Sequence, residues 1–168
     1  WIKNQQAVFY LNDLITGSTS FDGPSTSQLT LMSMQLVEST NNEHRLSGMN
    51  LVDRLFEHGN REALLRANMH MIYAKSLAVN MLLDNEQVAL AAGQSMCRLV
   101  ALVGADEKRS ILDDAVEKCF DSLFNSEKTE YRAAIWSALQ DFIKLLDLSF
   151  VRHFHRFFDI CEISSSEH

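Results

Sequence analysis

Apolar residues recur at helical spacing between residues 84 and 148, and the pattern repeats after 43 positions. Each of five apolar positions in the first copy has an apolar counterpart in the second. The five pairs are Val88 and Tyr131, Ala92 and Ile135, Met96 and Leu139, Leu99 and Phe142, and Val103 and Leu146. A repeat of roughly 40 to 47 residues that contains two helices is typical of stacked helical arrays. The pattern therefore predicts an all-α protein in which similar helical units lie side by side.

Helical periodicity extends along the rest of the chain and predicts eight helices. Their expected bounds are about 1–16, 26–39, 43–58, 61–83, 85–103, 107–124, 127–147 and 149–161. Taken in pairs, they give four antiparallel hairpins in one domain that covers residues 1–168. The hairpins are expected at about 1–41, 42–84, 85–126 and 127–163. An α-solenoid of these hairpins is our first interpretation, and an irregular helical bundle, which has similar loops and periodicity, is the alternative.

Loops are expected where proline, glycine and short polar residues cluster. Residues 17–27 contain the only proline of the chain and are expected to form its one long loop. The fourth helix, 61–83, is apolar around much of its circumference, which predicts an unbroken helix covered on more than one side. Residues 163–168 are polar and are expected to form a loop or the start of a linker.

Short polar residues before the apolar stripes predict N-caps. Asn60 stands in this position before the fourth helix. Asp84, with Gln87 three residues later, predicts a capping box for the fifth helix. Asp106 and Ser126 are expected to cap the sixth and seventh helices.

The acidic balance of the chain disfavours two classes of partner. Its 15 basic and 22 acidic residues give a net charge of −7, so its overall field opposes nucleic acids and anionic membranes. No apolar run in this sequence reaches the roughly 18 residues that a membrane-spanning helix needs, and none of its segments has the pattern of a signal peptide. The three cysteines lie within apolar helical patterns, which suits free thiols in a reducing compartment. We expect an intracellular protein, cytoplasmic or nuclear, without a membrane partner.

The sequence contains none of four motifs that mark common catalytic and nucleotide-binding sites. These are His-Glu-x-x-His, Gly-x-x-x-x-Gly-Lys-Ser/Thr, Gly-x-Gly-x-x-Gly and Gly-x-Ser-x-Gly. On a helix the side chains of His153 and His155 point about 200° apart, so they cannot share one ion, and we interpret them as part of a solvated face. His70, inside the apolar fourth helix, is interpreted as a partly buried histidine with satisfied hydrogen bonds. The sequence therefore predicts no enzyme activity, cofactor, metal or small-molecule substrate.

Two charged segments supply the candidate partner-binding residues. They are Lys108, Arg109, Asp113, Asp114 and Glu117 on the sixth predicted helix, and Arg152 and Arg156 on the eighth. Mixed charges of this kind suit the polar rim of a protein interface. The eighth helix also carries four phenylalanines at helical spacing, which we expect to fill the core. The alternative is a helical array that binds RNA or DNA through these aromatic and arginine side chains.

The run Val88-Ala-Leu-Ala-Ala and its counterpart Tyr131-Arg-Ala-Ala-Ile resemble the first helix of HEAT and armadillo-type repeats. Arg132 follows Tyr131 as in the hydrophobic–arginine pair of a HEAT helix. Ala89 takes the place of that arginine in the earlier copy, and both copies lack the usual proline. The resemblance implies a HEAT-like α-solenoid that serves as a non-catalytic scaffold for other proteins. Because the chain starts at Trp1, we expect a fragment of a longer protein, whose neighbouring repeats are among those partners.

The segment Gln6-Ala-Val-Phe-Tyr-Leu-Asn-Asp-Leu-Ile-Thr-Gly is similar to a helix in the HEAT scaffold subunits of the TTT (Tel-two-interacting) co-chaperone complex. That complex assists the maturation of phosphatidylinositol-3-kinase-related kinases. The similarity covers about a dozen residues and implies a co-chaperone role.

Overall fold

The computed structural model describes the backbone of residues 23–166 and the side chains of residues 24–162. This part of the chain is all α-helical and contains no β-strand, as the sequence predicts. Its helices are α1 (Gly23–Val37), α2 (Asn42–His58), α3 (Arg61–Arg66), α4 (Met69–Met81), α5 (Glu86–Val100), α6 (Ala105–Asn125), α7 (Thr129–Leu146), a 3₁₀ helix (Asp147–His153) and α8 (Phe154–Ser166). The predicted helix 1–16 lies outside the described residues, as does the first part of the predicted loop 17–27.

Helix α1 starts earlier than predicted, so the expected loop is wrong for residues 23–27. Pro24 lies in the first turn, where its missing N–H removes no intrahelical hydrogen bond. Thr30 Oγ1 donates to the Thr26 carbonyl at 2.8 Å, and Thr26 Oγ1 accepts from the Asn60 N–H at 3.2 Å. Residues that the sequence assigns to a loop therefore belong to a helix, in which the buried side chains of Thr26 and Thr30 form hydrogen bonds.

The predicted helix 61–83 is broken in two, which corrects the expectation of one unbroken helix. Asn68 adopts a left-handed backbone conformation with φ 55°, and it separates α3 from α4. Asparagine tolerates this region better than most residues. The apolar pattern continues through the break because the helix that follows, α4, packs against α1, α5 and α6.

Asparagines cap three of the described helices. Asn41 accepts from the Glu43 N–H at 2.8 Å, and Asn60 caps α3 as predicted, accepting from the Ala63 N–H at 3.0 Å. The predicted capping box is wrong, because Asn85 rather than Asp84 caps α5, accepting from the Val88 N–H at 3.0 Å.

The other expected caps are displaced by one or more residues. Asp84 Oδ2 instead pairs with Lys128 Nζ at 2.6 Å. Gly104 is the N-cap of α6, so Asp106 lies within the first turn. Lys128 is the N-cap of α7, and Ser126 Oγ accepts from its backbone N–H at 3.3 Å.

The described helices pack in two rows. One row contains α2, α5 and α7, each in contact with the next, and the other contains α1, α4, α6 and α8. Across the rows, α1 packs on α2, α4 on α5 and α6 on α7, while the short α3 fits against α1, α2 and α4. The division into hairpins at 42, 84 and 126 stays a prediction.

The repeated apolar stripe lies in the core, as its spacing predicts. All ten of its positions are buried except Val103, which is half-buried and lies beyond the end of α5. The two helices that carry the stripe come very close, because a Cβ placed on Gly93 would lie 2.7 Å from Ala138 Cβ. Glycine at this position therefore permits the close contact between α5 and α7.

The C-terminal segment differs from the predicted helix 149–161. A 3₁₀ helix starts at Asp147, whose φ of 49° ends α7, and it continues directly into α8. Helix α8 extends to Ser166, so the expected loop is wrong for residues 163–166. This segment packs against α6 and α7.

Candidate protein-binding site

A groove of about 280 Å³ lies where the first turns of α6 meet the end of α7 and the 3₁₀ helix. Its lining combines basic, acidic and aliphatic side chains. The lining residues are Ala105, Asp106, Lys108, Arg109, Leu112, Leu145, Leu146 and Ser149. The groove therefore brings together two of the predicted partner-binding residues, Lys108 and Arg109, beside an apolar wall from a different helix.

The basic groups of this groove remain available to a partner. Lys108 is half-buried and Arg109 is exposed, and neither forms an ion pair with the described residues. Gly104, the N-cap of α6, has no side chain to accept from the N–H groups of the first turn. These N–H groups and the helix dipole add positive character, while Asp106 contributes one opposing charge. The groove can thus receive an acidic side chain and an adjacent apolar one.

Further along α6, three carboxylates spaced one helical turn apart face three basic side chains of the segment after α7. They are Asp113, Glu117 and Asp121 on α6, and Arg152, His153 and Arg156 on the 3₁₀ helix and α8. We call these six residues the α6–α8 clasp. Their charges balance when the histidine is protonated.

The arginines of the clasp make direct hydrogen bonds to its carboxylates. Arg152 Nη1 donates to Asp113 Oδ2 at 2.6 Å, and Arg156 donates to both Glu117 and Asp121, the latter at 2.9 Å. The hydrogen bonds to Asp121 and then Glu117 raise the pKa of the Arg156 guanidinium above its usual value. The Arg156 guanidinium also lies 5.4 Å from the ring centre of Phe120.

His153 is the buried centre of the clasp, with a side chain that is 6% exposed. Its Nδ1 lies 2.8 Å from Glu117 Oε1 and its Nε2 lies 2.9 Å from Asp113 Oδ1. A protonated imidazole can donate to both carboxylates at once. The interpretation of His153 as part of a solvated face is therefore wrong, whereas His155 is exposed. Sequence reasoning missed the role of His153 because it considered only its neighbour on the same helix.

The seven predicted site residues thus fall into three sets. Asp113, Glu117, Arg152 and Arg156 bind one another across the two helices, and Asp114 is exposed without an ion pair in the described part of the chain. The remaining two, in the groove, are separated from the clasp by about one turn of α6. Partner binding by these residues stays a prediction.

A second polar cluster, which the sequence analysis missed, surrounds Asp53 in α2. Its carboxylate is 5% exposed and accepts three hydrogen bonds. Tyr73 of α4 donates to Oδ1 at 2.8 Å, and Ser95 and Arg98 of α5 each donate to Oδ2 at 2.8 Å. The signal in the sequence is a single acidic residue inside the apolar run of α2, at a position whose neighbours Val52 and Leu55 are buried. An acid at such a position needs partners from the helices around it.

Burial sets the protonation of the Asp53 cluster. Loss of hydration raises the pKa of the Asp53 carboxyl, and the hydrogen bonds from Ser95, Tyr73 and Arg98 oppose this shift. Loss of hydration, with the Asp53 charge nearby, also raises the pKa of the Tyr73 phenol. A cavity of about 230 Å³, walled by apolar side chains, opens beside the cluster. Its lining includes Phe56, Leu99 and Leu102.

The sequence predicts that all four phenylalanines of the last segment fill the core, but only two of them do so. Phe150 is buried, and Phe157 is half-buried with its ring edge-on to Trp136 at 6.3 Å between ring centres. Phe154 and Phe158 are exposed, so the expectation is wrong for these two residues.

Cys97, which is half-buried, and Cys119 and His70, which are buried, are further side chains with reactive groups. Loss of hydration raises the pKa of Cys97 to about 11 and shifts the pKa of Cys119 upward still further. His70 is buried, as predicted, and its Nε2 lies 3.3 Å from Glu107 Oε1. Its Nδ1 has no hydrogen-bond partner among the described residues, so its hydrogen bonds are only half satisfied.

Comparison with known proteins finds no match to a family model, a curated protein or a solved structure. Across the described residues, no three histidine, cysteine or acidic side chains form a group that could hold a metal ion. None of the helices in that range is long and apolar enough to cross a bilayer.

Proposed function

We propose that this chain is a non-catalytic scaffold that binds other proteins, built as a segment of a HEAT-like α-solenoid. The observation that carries the proposal is the groove at the start of α6, where two cations without an ion pair among the described residues lie beside an aliphatic wall from the end of α7. Two further features support the solenoid: the helices pack in two rows, and the stripe that repeats after 43 positions is buried in neighbouring helices of one row.

The chemistry of the groove favours an acidic segment of a partner protein. Lys108 and Arg109 would bind its carboxylates, and the half-buried Leu145 would contact an adjacent apolar side chain. The clasp disfavours the nucleic-acid alternative, because the guanidinium groups of Arg152 and Arg156 are already neutralised by carboxylates of α6.

The state of the reactive groups supports a non-catalytic role. A raised pKa keeps the thiols of Cys97 and Cys119 protonated near neutral pH, which disfavours a nucleophilic thiolate. Both oxygens of the Asp53 carboxylate already accept hydrogen bonds from groups of α4 and α5. These side chains serve the packing between helices.

A narrower proposal follows from the similarity of the segment Gln6 to Gly17 to TTT scaffold subunits. In that case the partners would be co-chaperones and phosphatidylinositol-3-kinase-related kinases. The localisation that fits such partners is cytoplasmic or nuclear.

The test is affinity capture of the tagged chain from cells, followed by mass spectrometry, with a groove variant beside the wild type. The groove variant is Lys108→Glu with Arg109→Glu. The control is Arg66→Glu with Lys144→Glu, which makes the same change in net charge at two exposed positions elsewhere. We expect the groove variant to lose a defined set of proteins that the control retains.

A recovered partner is then titrated against the purified variants, where we expect roughly tenfold weaker binding for the groove variant. Melting curves should show that every variant is folded, and the control should melt slightly lower than the wild type because it breaks two exposed ion pairs. Equal recovery with both variants would contradict the groove, and recovery that disappears after nuclease treatment would support the nucleic-acid alternative. Loss of kinase-maturation chaperones in particular would support the narrower proposal.

A further inference from the structure

The cavity beside the Asp53 cluster lies in a different part of the molecule from the groove. It has a volume of about 230 Å³ and opens between α2 and the end of α5. The residues that line it are Asp53, Phe56, Glu57, Tyr73, Arg98, Leu99, Ala101 and Leu102. An apolar cavity of about 150 Å³ is large enough to bind benzene. The space beside Asp53 can therefore hold one aromatic ring.

The walls of the cavity favour such a ring. Phe56, Tyr73 and Leu99 are buried side chains that line it. The rings of Phe56 and Tyr73 are nearly parallel, with 11° between their planes and 6.2 Å between their centres. Because the Tyr73 hydroxyl is bonded to Asp53, this residue offers a ligand its ring rather than a hydrogen bond. An aromatic ligand would leave water and gain contacts with these side chains.

Arg98 supplies a polar contact in the same cavity. Its Nη1 donates to Asp53 Oδ2 at 2.8 Å, which holds the guanidinium in place. Arg98 makes no other hydrogen bond with the described residues, and its side chain is 56% exposed. Its N–H groups on Nε and Nη2 can therefore donate to both oxygens of one carboxylate.

The other charges near the mouth leave this contact to decide the ligand. Arg61 is held at the rim, where it donates to the carbonyl of Leu102. The exposed Glu57 contributes a negative charge, so that Asp53 and Glu57 together balance the two arginines. With no net charge to select a ligand, the hydrogen bonds do so. The guanidinium of Arg98 is anchored and has donors to offer, whereas the Asp53 carboxylate already accepts three hydrogen bonds.

We propose that this cavity binds a small aromatic carboxylate. Its ring would lie against Phe56, Tyr73 and Leu99, and its carboxylate would accept from the N–H groups of Arg98. Such a ligand contacts α2, α4 and α5 at once, and binding to the folded state alone would stabilise their packing. The cavity and the groove of Lys108 and Arg109 share no lining residue, so this proposal can fail without affecting the proposed function.

The first test is a titration of the purified, ¹⁵N-labelled chain with phenylacetate, followed by NMR. We expect saturable shifts at the amides of Phe56, Leu99 and Leu102, with a dissociation constant of roughly 0.1 to 1 mM. Phenylacetamide has nearly the same shape without the charge and should bind roughly tenfold more weakly. Benzylamine, which carries a cation instead, should bind more weakly still.

Filling the cavity tests where the ring lies. Ala101 lines the cavity and is an exposed residue at the end of α5, so Ala101→Trp can occupy the space without changing a core side chain. This variant should no longer bind phenylacetate. The matched control is Ala133→Trp, at an exposed alanine of α7, which should bind it as the wild type does.

Two substitutions at the mouth test the carboxylate contact. Arg98→Gln should weaken the binding of phenylacetate roughly tenfold and leave that of phenylacetamide nearly unchanged. Glu57→Gln removes an opposing charge and should strengthen the binding of phenylacetate about twofold. Because Arg98 also bonds to Asp53, circular dichroism checks that each variant is folded. The ratio of the two affinities within one variant then reports the contact separately from any loss of stability.

Three results would overturn the proposal. The first is a folded wild-type chain that shows no saturable binding of phenylacetate up to roughly 10 mM. The second is tighter binding of phenylacetamide or benzylamine than of phenylacetate. The third is binding that survives Ala101→Trp together with an unchanged preference for the carboxylate in Arg98→Gln, which would place the ligand elsewhere.

Discussion

Two carboxylate clusters join helices in this protein, and they differ mainly in burial. Asp53 is enclosed, and two of its three donors are the neutral hydroxyl groups of Tyr73 and Ser95. In the α6–α8 clasp, three carboxylates meet three basic groups, and all of them except His153 remain partly exposed to water. The same kind of contact, an acid bound across a helix boundary, therefore occurs in two dielectric environments.

This difference determines what each cluster contributes. Water has little access to the buried hydroxyl groups of Tyr73 and Ser95, so these donors depend on the Asp53 carboxylate and fix which faces of α2, α4 and α5 pack together. At the surface, water and salt compete with each ion pair, and the clasp adds a modest, screened attraction that holds the last segment on α6. The first cluster should govern global stability and the second local docking.

Asp53→Ala should have the largest effect. It leaves the hydroxyl of Ser95 and one side of Arg98 without an acceptor, and we expect a loss of about 3 kcal/mol in the free energy of unfolding. The control is Asp141→Ala, which removes an exposed pair with Lys144 and should cost about 0.5 kcal/mol. Urea denaturation of both variants measures the difference. Similar losses in the two would show that burial does not separate these interactions.

His153→Ala should have an intermediate and more local effect. It removes two hydrogen bonds to carboxylates, and we expect a loss of about 1.5 kcal/mol. Amide hydrogens of α8 should exchange faster than in the wild type. Those of α2 and α5 should change only by the amount that the lower global stability of the variant explains. His155→Ala, on the exposed side of the same helix, serves as the control. Faster exchange spread evenly over all helices would argue against a local docking role.

The pH dependence of Asp53 gives a smaller effect with a definite sign. Its pKa is raised above the ordinary value of 3.8 in the folded state. Between 3.8 and the raised value, the folded protein therefore holds a proton that the unfolded chain has released. This contribution is fully present below about pH 3.8 and is lost as the pH rises through the folded value. The stability advantage of the wild type over Asp53→Asn should therefore grow as the pH is lowered. Every other side chain is the same in the two proteins, so the comparison isolates position 53, and an advantage that shrinks on acidification would contradict the shift.

The two clusters should also differ in how salt changes the stability cost of a substitution, and this is the smallest of the expected effects. Arg152→Gln should cost about 0.5 kcal/mol at low ionic strength and almost nothing in 1 M salt. Ser95→Ala removes a hydrogen bond in the interior, and its cost of about 1 kcal/mol should be independent of salt. Denaturation at two salt concentrations measures both, and an equal dependence on salt in the two variants would be the contrary result.

The sequence predicted those features that depend on one helix at a time. The repeated apolar positions that include Val88 in α5 and Tyr131 in α7 are buried because a period of 3.6 residues places them on one face of each helix. The break at Asn68 was missed because the apolar pattern continues across it. The predicted cap of α5 is one residue too early because aspartate and asparagine are both favoured at the N-cap. Only the packed structure shows that Asp84 forms an ion pair with Lys128 instead.

Contacts between helices were beyond the reach of periodicity. Asp113, Glu117, Arg152 and Arg156 were all predicted as site residues, yet nothing in one helix pattern indicates that the acids of α6 would meet the arginines of the later segment. That meeting depends on the 3₁₀ turn after Asp147, which sets the direction of the chain. The groove beside Lys108 likewise needs the end of α7 to supply its apolar wall.

The two-row packing has a consequence for synthesis of the chain. In residues 23–166, each helix packs extensively only against helices at most three places away in the order of the chain. A helix emerging from the ribosome would thus find its main neighbours already made or about to be made. Low contact order of this kind favours rapid folding that proceeds from one end as translation advances.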